Sequence, residues 1–289
     1  MNGLKRTTYL CSMLDQIILN ALAEDIGEGD HSTLACVPEK AVGAARLLVK
    51  EEGIIAGIEV AKRIYELVDP TLELIVYKHD GEQVKIGDIA FVVTGSSRSI
   101  LTSERLVLNF MQRMSGIATQ TNQILRVIEG CNTKLLDTRK TTPGIRYLEK
   151  WAVKIGGGEN HRFGLYDLIM LKDNHVDYAG GVTKAIQKTK EYLLKTKKSL
   201  GIIVEVRNLD ELDEAINEGG VMRIMLDNFN PTDLKEALKR VPAEIETEAS
   251  GGITLSNIRD YAETGVQYIS VGALTHSVKS MDLSLKAMM

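Results

Sequence analysis

Residues 201–228 read GIIVEVRNLDELDEAINEGGVMRIMLDN. An apolar run ends at Val206, the segment Leu209 to Glu218 carries apolar residues at helical spacing among charges, and a second apolar run ends at Leu226. A β-rich run, a helix and another β-rich run form the unit of a parallel sheet covered by helices. The alternation extends both ways. Further apolar runs end at Leu136, Leu171, Thr247 and Val271, and helix-like segments span Val182 to Lys195, Thr232 to Arg240 and Ser256 to Glu263. Such an array closes into a barrel or stays an open doubly wound sheet, and the residues just past each strand separate the two.

Chemistry stands at each strand end. Asp137-Thr138-Arg139-Lys140 comes after the first and Lys172-Asp173-Asn174-His175 after the second. Glu205 sits near the end of the third and Asp227-Asn228 follows the fourth; then come Glu248-Ala249-Ser250-Gly251-Gly252 and Gly272-Ala273-Leu274-Thr275. A (β/α) barrel converges such strand ends on one point, whereas an open sheet would spread them along a line. The expected fold is therefore α/β, with an incomplete or irregular TIM-type barrel in the C-terminal domain. The glycines at the two late strand ends suit a phosphate held on backbone N–H groups, since glycine lets the main chain approach the oxygens closely.

The first half reads differently. Between Gly43 and Gly95, β-like runs (Arg46 to Lys50, Leu72 to Tyr77, Ile89 to Val93) surround a helix-like stretch from Ile58 to Leu67, with turns at Asp80-Gly81 and Gly87-Asp88, predicting an α+β lobe. Residues 80–88 suggest a hairpin like those of biotinyl or lipoyl carriers, but Lys85 lacks a Met-Lys-Met setting and is assigned a structural role. Ser96 to Ser103 read as a connection, with a helix from Glu104. Near the start, Lys5-Arg6 and the apolar Leu10, Met13, Leu14, Ile17 and Ile18 imitate a signal peptide. Asp15, Gln16 and Asn20 on the opposite face make an amphipathic helix the expectation instead.

Composition narrows the partners. The 289 residues hold 39 Asp plus Glu against 35 Lys plus Arg, a net charge of −4, so nucleic acid is not an expected partner. No run approaches the roughly 20 apolar residues of a membrane span. Cys11, Cys36 and Cys131 are odd in number and far apart, which argues against a disulfide framework and for a cytoplasmic location. Yet Arg139, Lys140, Arg146, Lys150, Lys154, His161, Arg162, Lys172 and His175 crowd between Asp137 and His175 among turn residues, as a pocket for a small polyanion would require. Lys150 and Lys154 read as solvated helix charges. Arg146 divides between a substrate contact and a surface ion pair, and His31, His79 and His276 share no metal-ligand spacing.

Several motifs, in order, resemble the quinolinate phosphoribosyltransferase family, also called carboxylating nicotinate-nucleotide pyrophosphorylases. They are Glu24-Asp25-Ile26-Gly27 with Gly29-Asp30; Glu104-Arg105 with Leu108-Asn109-Phe110; Arg113 to Thr119; Asp137 to Gly144; Gly156 to Arg162; Leu171 to His175; Glu248 to Ile253; and Val271 to Ser277. The resemblance covers most of the chain. It implies an N-terminal dimer-forming domain over 1–115, a barrel over 116–275, and a C-terminal segment, 276–289, returning to the N-terminal domain. It also implies transfer of phosphoribosyl from phosphoribosyl pyrophosphate to quinolinate with Mg²⁺ and no organic cofactor, releasing pyrophosphate and CO₂ and giving nicotinate mononucleotide.

By the same resemblance Arg139, His161 and Arg162 match the quinolinate carboxylate binders; Thr138 beside them is a candidate substrate contact or a support for Arg139. Lys140 and Lys172 match lysines facing the reaction centre and pyrophosphate, with Asp173, Asn174 and His175 orienting Lys172. Glu205 and Asp227 match the acidic pair beside ribose and Mg²⁺; Ser250, Gly251, Gly252, Gly272 and Ala273 match the 5′-phosphate loops. Arg105 resembles an arginine that reaches the neighbouring active site of a homodimer. Ile203 and Arg207 depart from the family pattern by standing where acids often flank the equivalent of Glu205, and Lys154-Ile155 replaces a common Arg-Cys. The alternatives are a sister phosphoribosyltransferase using nicotinate, a Schiff-base phosphosugar aldolase using Lys140 or Lys172, and a non-catalytic paralogue.

Overall fold

The structure, a computed structural model, describes residues 3–288, with side chains from Met13 onward; the side chains of Lys5, Arg6, Leu10 and Cys11 lie outside the described residues. Two compact units make up the chain: Met1–Asn122 with Thr141–Gly157 and Ser277–Met289, and Gln123–Lys140 with Gly158–His276.

In the first unit α1 (Gly3–Ile26) and α2 (His31–Cys36) precede β1 (Val42–Val49), β2 (Gly53–Ile54), α3 (Ile58–Val68), β3 (Glu73–Val76), β4 (Gln83–Val84), β5 (Ile89–Ser96) and the long α4 (Ser97–Val127). Alternation along β1 buries Ala45, Leu47 and Val49 and leaves Val42 and Arg46 exposed, as a sheet with one covered face requires. Helix α3 buries Ile58, Ala61, Ile64 and Tyr65 at helical spacing. On α1, Asp15 takes a two-pronged bond from Arg63 of α3, at 2.7 and 2.8 Å.

Two local expectations are corrected. Residues 80–88 are not a hairpin on β5: β4 pairs antiparallel with β2, and the Asp80 carboxylate accepts the Ile58 N–H at 2.8 Å, capping α3, whose own N-cap Gly57 has no side chain to do so. Nor is 96–103 a connection, because β5 runs to Ser96 and α4 begins at Ser97. Serines compete with the backbone for hydrogen bonds and so read as loop formers. Here the buried Ser103 hydroxyl donates back to Ser99 O at 2.8 Å inside the helix.

The second unit takes the last turn of α4, from Gln123, and then β6 (Lys134–Leu136). After α5 (Arg146–Ile155), which belongs to the first unit, come β7 (Ile169–Leu171), α6 (Asp173–Ala179), α7 (Val182–Thr196), β8 (Ile202–Val206), α8 (Leu209–Glu218), β9 (Arg223–Asp227), α9 (Pro231–Arg240), β10 (Glu246–Ser250), α10 (Ile258–Ala262), β11 (Tyr268–Ser270) and α11 (Ala273–His276). All six strands are parallel, in the order β6-β11-β10-β9-β8-β7. The first strand therefore pairs with the last, which an open doubly wound sheet does not do and a closing barrel must. At the remaining seam, between β6 and β7, Glu159 bridges to Leu136 through Glu159 N to Leu135 O and Asp137 N to Glu159 O, at 2.8 and 3.1 Å. The fold is an incomplete TIM-like barrel. Asn208 and Asn230 cap α8 and α9, and Pro231 occupies the first turn of α9.

The chain leaves the barrel between β6 and β7, and Thr141–Gly157 belongs to the first unit. Glu149 of α5 is fully buried and takes two bonds from Arg113 of α4, at 3.0 and 2.8 Å, with Thr142 N–H and Oγ1 adding two more. Lys150, expected to be solvated, is buried as well, because α5 is enclosed over an arc holding Leu148, Glu149, Lys150, Ala152 and Val153. Lys154 is exposed. The last strand, β12 (Leu283–Met288), pairs antiparallel with β1 along the edge of the first-unit sheet. Its approach runs over α4, where Met281 N donates to Gln112 O and Gln112 Nε2 donates to Leu283 O.

Gly116 of α4 marks the closest point of that approach: a Cβ there would collide with the backbone oxygen of Lys279. Helix propensity alone predicts that Gly116→Ala stabilises by about 1 kcal/mol. The collision reverses the sign. We expect the variant to lose about 1–3 kcal/mol in denaturant unfolding, and a gain would show that the 279 backbone yields freely.

Candidate active site

In parallel pairs, residues opposite one another share a face, and side chains two apart along a strand do likewise. Met170 pairs with Ile203, Glu205 with Met225, Met225 with Glu248, and Asp227 with Ser250. Continuing each strand by two puts Lys172, Glu205, Asp227 and Ser250 on the same face as a buried cluster of Met170, Ile203 and Met225. Ile203 is wholly buried in that apolar cluster and so sits one step below the carboxylates. Its departure from an acidic residue changes the floor of the site.

Glu205 and Lys172 face each other, Nζ to Oε2, at 3.5 Å, and Asp173 N–H lies 3.4 Å from Glu205 Oε1. Burial pushes the Glu205 carboxyl above the usual range; Lys172 opposes that shift and the nearby Asp227 charge adds to it. Asp227 is oriented from both sides, by the Ser250 hydroxyl at 2.6 Å on Oδ1 and by Asn228 Nδ2 at 2.6 Å on Oδ2. Asn228 itself has φ +58, one of the few non-glycine residues in the left-handed region, a strain held where its side chain orients the Asp227 carboxylate. Lys172 N donates to His175 Nδ1 at 3.0 Å and Asn174 N to Asp173 Oδ1 at 2.7 Å, so this tripeptide shapes the first turn of α6, whose N-cap is Lys172.

On the β6 side, the fully buried Asp137 accepts His161 N–H at 2.8 Å and Asn160 Nδ2 at 2.6 Å, pinning the 160–162 segment. His161 is buried, with Nδ1 accepting Arg162 N–H at 2.6 Å and Nε2 lying 3.4 Å from Glu248. The Arg162 guanidinium donates to Leu168 O at 3.2 Å. Asp167 closes the loop beyond it by accepting the N–H groups of Phe163 and Gly164. Desolvation lowers the Arg162 guanidinium from its usual value, and the charge of Arg139 lowers it further. Two half-buried guanidinium groups thus stand close enough for the Arg139 charge to act on Arg162, an arrangement suited to an anion between them.

The late strand ends are built for close approach. Gly251 has φ +85, and a Cβ there would collide with the Asn228 side chain. At Gly272 a Cβ would lie 3.0 Å from Lys140 Cδ and 3.1 Å from the His276 ring. The Lys140 stem therefore lies across the start of α11, while Thr275 Oγ1 donates to Lys140 O at 2.9 Å. Thr138 Oγ1 accepts Lys140 N–H at 3.0 Å, shaping the turn at Lys140 rather than at Arg139. Gly272-Ala273 leads directly into α11, whereas six residues follow Ser250-Gly251 before α10 begins at Ile258, with Gly252 exposed among them.

One unit thus gathers Thr138, Arg139, Lys140, His161, Arg162, Lys172, Glu205, Asp227, Ser250, Gly251, Gly252, Gly272 and Ala273 on its strand ends and adjoining loops. Arg105 belongs to the first unit, exposed on α4, and Arg146, also there, bonds Thr141 Oγ1 at 2.9 Å. Arg207 is turned to Asp177 of α6 and Glu211 of α8, at 2.8 and 2.6 Å, so it ties two covering helices together. Asp137, Glu248 and Asn228 are the residues that motif reading left without roles. Glu248 was detectable, since it stands two before Ser250 on one strand face. Among the described residues no group of three or more His, Cys, Asp or Glu could hold a metal by protein ligands alone.

The profile of the quinolinate phosphoribosyl transferase C-terminal domain matches residues 117–286, and that of the N-terminal domain matches residues 30–115. The chain is 44% identical to a chloroplastic nicotinate-nucleotide pyrophosphorylase [carboxylating] of Oryza sativa subsp. japonica, over 94% of this chain and 77% of that protein. It is 43% identical to a probable nicotinate-nucleotide pyrophosphorylase [carboxylating] of Bacillus subtilis, over 94% and 92%. The crystal structure of NadC from Streptococcus pyogenes superposes with a TM-score of 0.90 at 38% identity, covering 96% of this chain and 97% of that one. The chain belongs to the quinolinate phosphoribosyltransferase family.

Proposed function

We propose that the protein transfers phosphoribosyl from phosphoribosyl pyrophosphate to quinolinate with decarboxylation, yielding nicotinate mononucleotide, pyrophosphate and CO₂, a step of de novo NAD biosynthesis. The observation that carries this reading is the half-buried Arg139 and Arg162 pair, gathered in one unit with an acidic pair and two glycine loops at the strand ends. A diacid supplies two carboxylates to the guanidinium side, and the glycine loops suit a 5′-phosphate.

In this mechanism Arg139 and Arg162 hold the pyridine diacid with its ring nitrogen toward the ribose carbon. Lys140 and Lys172 neutralise the departing pyrophosphate, and Glu205 and Asp227 place negative charge beside the carbon where positive charge grows. The ring nitrogen attacks that carbon, the adjacent carboxylate then leaves as CO₂ because the cationic ring accepts its electron pair as an ylide, and the ylide carbon takes a proton from solvent to give the product. No covalent bond to the protein is required. Two carboxylates are too few for an all-protein metal cage but fit Mg²⁺, which keeps waters and substrate oxygens around one or two acids. Glu205 and Asp227 would hold it. When bound it would polarise the phosphate oxygens.

A second copy of the chain supplies Arg105 to the site in this reading, and the widely spaced free cysteines, Cys36 exposed and Cys131 half-buried, suit a reducing cytoplasm. No helix among the described residues is long and apolar enough to cross a membrane. The aldolase reading loses ground on one point: the Lys172 side chain is half exposed beside a carboxylate, whereas a Schiff-base lysine wants a desolvated pocket or a cationic neighbour.

The direct test incubates the purified protein with phosphoribosyl pyrophosphate, Mg²⁺ and either quinolinate or nicotinate. Nucleotide and CO₂ from quinolinate are expected; product from nicotinate alone, or from neither acid, contradicts the proposal. Arg139→Ala or Lys172→Ala should lower kcat/KM by about 10²-fold or more, and losses within about twofold would remove those residues from the site. Glu205 works ionised, and burial raises its carboxyl, so the acid limb of kcat/KM should stand above the ordinary glutamate value of about 4.3. Asp227→Asn removes a charge that raises Glu205 and should move that limb down; Lys172→Met should move it up. Shifts of the opposite sign would show that another group controls the limb.

A further inference from the structure

The barrel interior carries a second, buried set of charges that the proposed reaction does not use. Arg223 of β9 stacks its guanidinium 3.8 Å from the centroid of the Tyr268 ring and pairs with Glu246 at 2.6 Å and with Glu248 at 3.0 Å. Glu248 is wholly buried in the middle of β10. Burial alone would push its carboxyl up, but His161 and Arg223 overcome that and hold it below the usual range. Both reach the same oxygen, Oε2, and Oε1 makes no hydrogen bond among the described residues. Removing this carboxylate alone would leave Arg223 and His161 facing an unpaired gap, so its retention is tied to those two partners.

His161 shows what this carboxylate does. Its Nδ1 accepts the Arg162 N–H at 2.6 Å, so Nδ1 carries no proton and the ring proton must sit on Nε2. Nε2 lies 3.4 Å from Glu248 Oε2, a pure acceptor, at ion-pair distance but outside hydrogen-bond geometry, so the pairing is electrostatic. The opposite tautomer would set two N–H groups against each other at Arg162 and leave Nε2 facing the Glu248 carboxylate without a proton to share. We propose that Glu248 is a positioning residue that locks the His161 tautomer and, through the Nδ1 bond to Arg162 N–H, fixes the backbone from which the Arg162 guanidinium reaches a substrate carboxylate. His161 thereby acts on substrate chiefly through Arg162, since both of its ring nitrogens are turned to protein groups. Arg223 anchors Glu248 from below, and Asp137 holds the His161 N–H independently. The inference rests on the proposed use of Arg162 for a carboxylate.

Two experiments test it separately from the reaction. With ¹⁵N-histidine labelling, the His161 resonances, identified by their loss in His161→Ala, should show a protonated Nε2 and an unprotonated Nδ1 at neutral pH. This measurement needs no substrate, so it stands if the assigned reaction is wrong; a proton on Nδ1 overturns the proposal. In kinetics, Glu248→Met, similar in length but without an acceptor, should raise KM for quinolinate by about 10- to 100-fold, the scale of a small displacement near a reacting group, and leave KM for phosphoribosyl pyrophosphate within about twofold. Glu248→Gln keeps one acceptor oxygen and should recover most of that loss. In an Arg162→Ala background Glu248→Met should add almost nothing, because the two act in series. Equal loss in both backgrounds, or equal rises in both KM values, would mean a packing role only. If Glu248→Met does not fold, Glu248→Gln and the tautomer measurement decide.

Discussion

The register of the parallel strands governs everything else in the barrel. Because Met170 pairs with Ile203, Glu205 with Met225 and Asp227 with Ser250, the period-two alternation of side chains turns Lys172, Glu205, Asp227 and Ser250 to the face that also carries Met170, Ile203 and Met225. A slip of one residue in β8 would turn Glu205 to the helix side and bring Val204 or Val206 to the site. β8, with all five residues buried, fixes that register, since either face must find a packed surface. The charged site is therefore a consequence of an apolar core that admits one alignment.

Electrostatics then divides the work by depth. Glu248, Asp137 and Glu149 are wholly buried, each with a cation or several N–H donors around it, and serve geometry. Nearer the strand ends Lys172, Lys140 and Asp227 are partly or fully exposed and keep charge available to a ligand. Glu205 stands between, buried enough to be pushed up yet beside an exposed lysine. Charges of the first kind would be costly without their partners. Those of the second kind wait for a substrate to complete them.

How much of this was legible in the sequence depends on which interactions are local. The alternation of apolar runs and helical segments marked all six barrel strands, and β8 and α8 lie where residues 201–218 suggest, because period-two and helical patterns need only neighbouring residues. Strand ends followed by Arg139, Lys172, Glu205 and Asp227 pointed to one convergent site for the same reason. Long-range contacts were not legible. Nothing near Ser96–Ser103 signals that its serines sit inside α4; Asp80 caps a helix 22 residues earlier in the chain, and Lys150 is buried by its surroundings. Asp137, Glu248 and Asn228 escaped for a related reason: an acid or amide that positions another residue shows only when its partner is seen.

The account rests on Arg139 and Arg162 forming a dicarboxylate site at the strand ends, with the acidic pair apart from it. A crystal structure of the protein with quinolinate tests that claim most directly. One carboxylate on each guanidinium, with the ring nitrogen facing the space before Glu205 and Asp227, is the predicted result. Quinolinate bound elsewhere, or bound without touching either arginine, would contradict it.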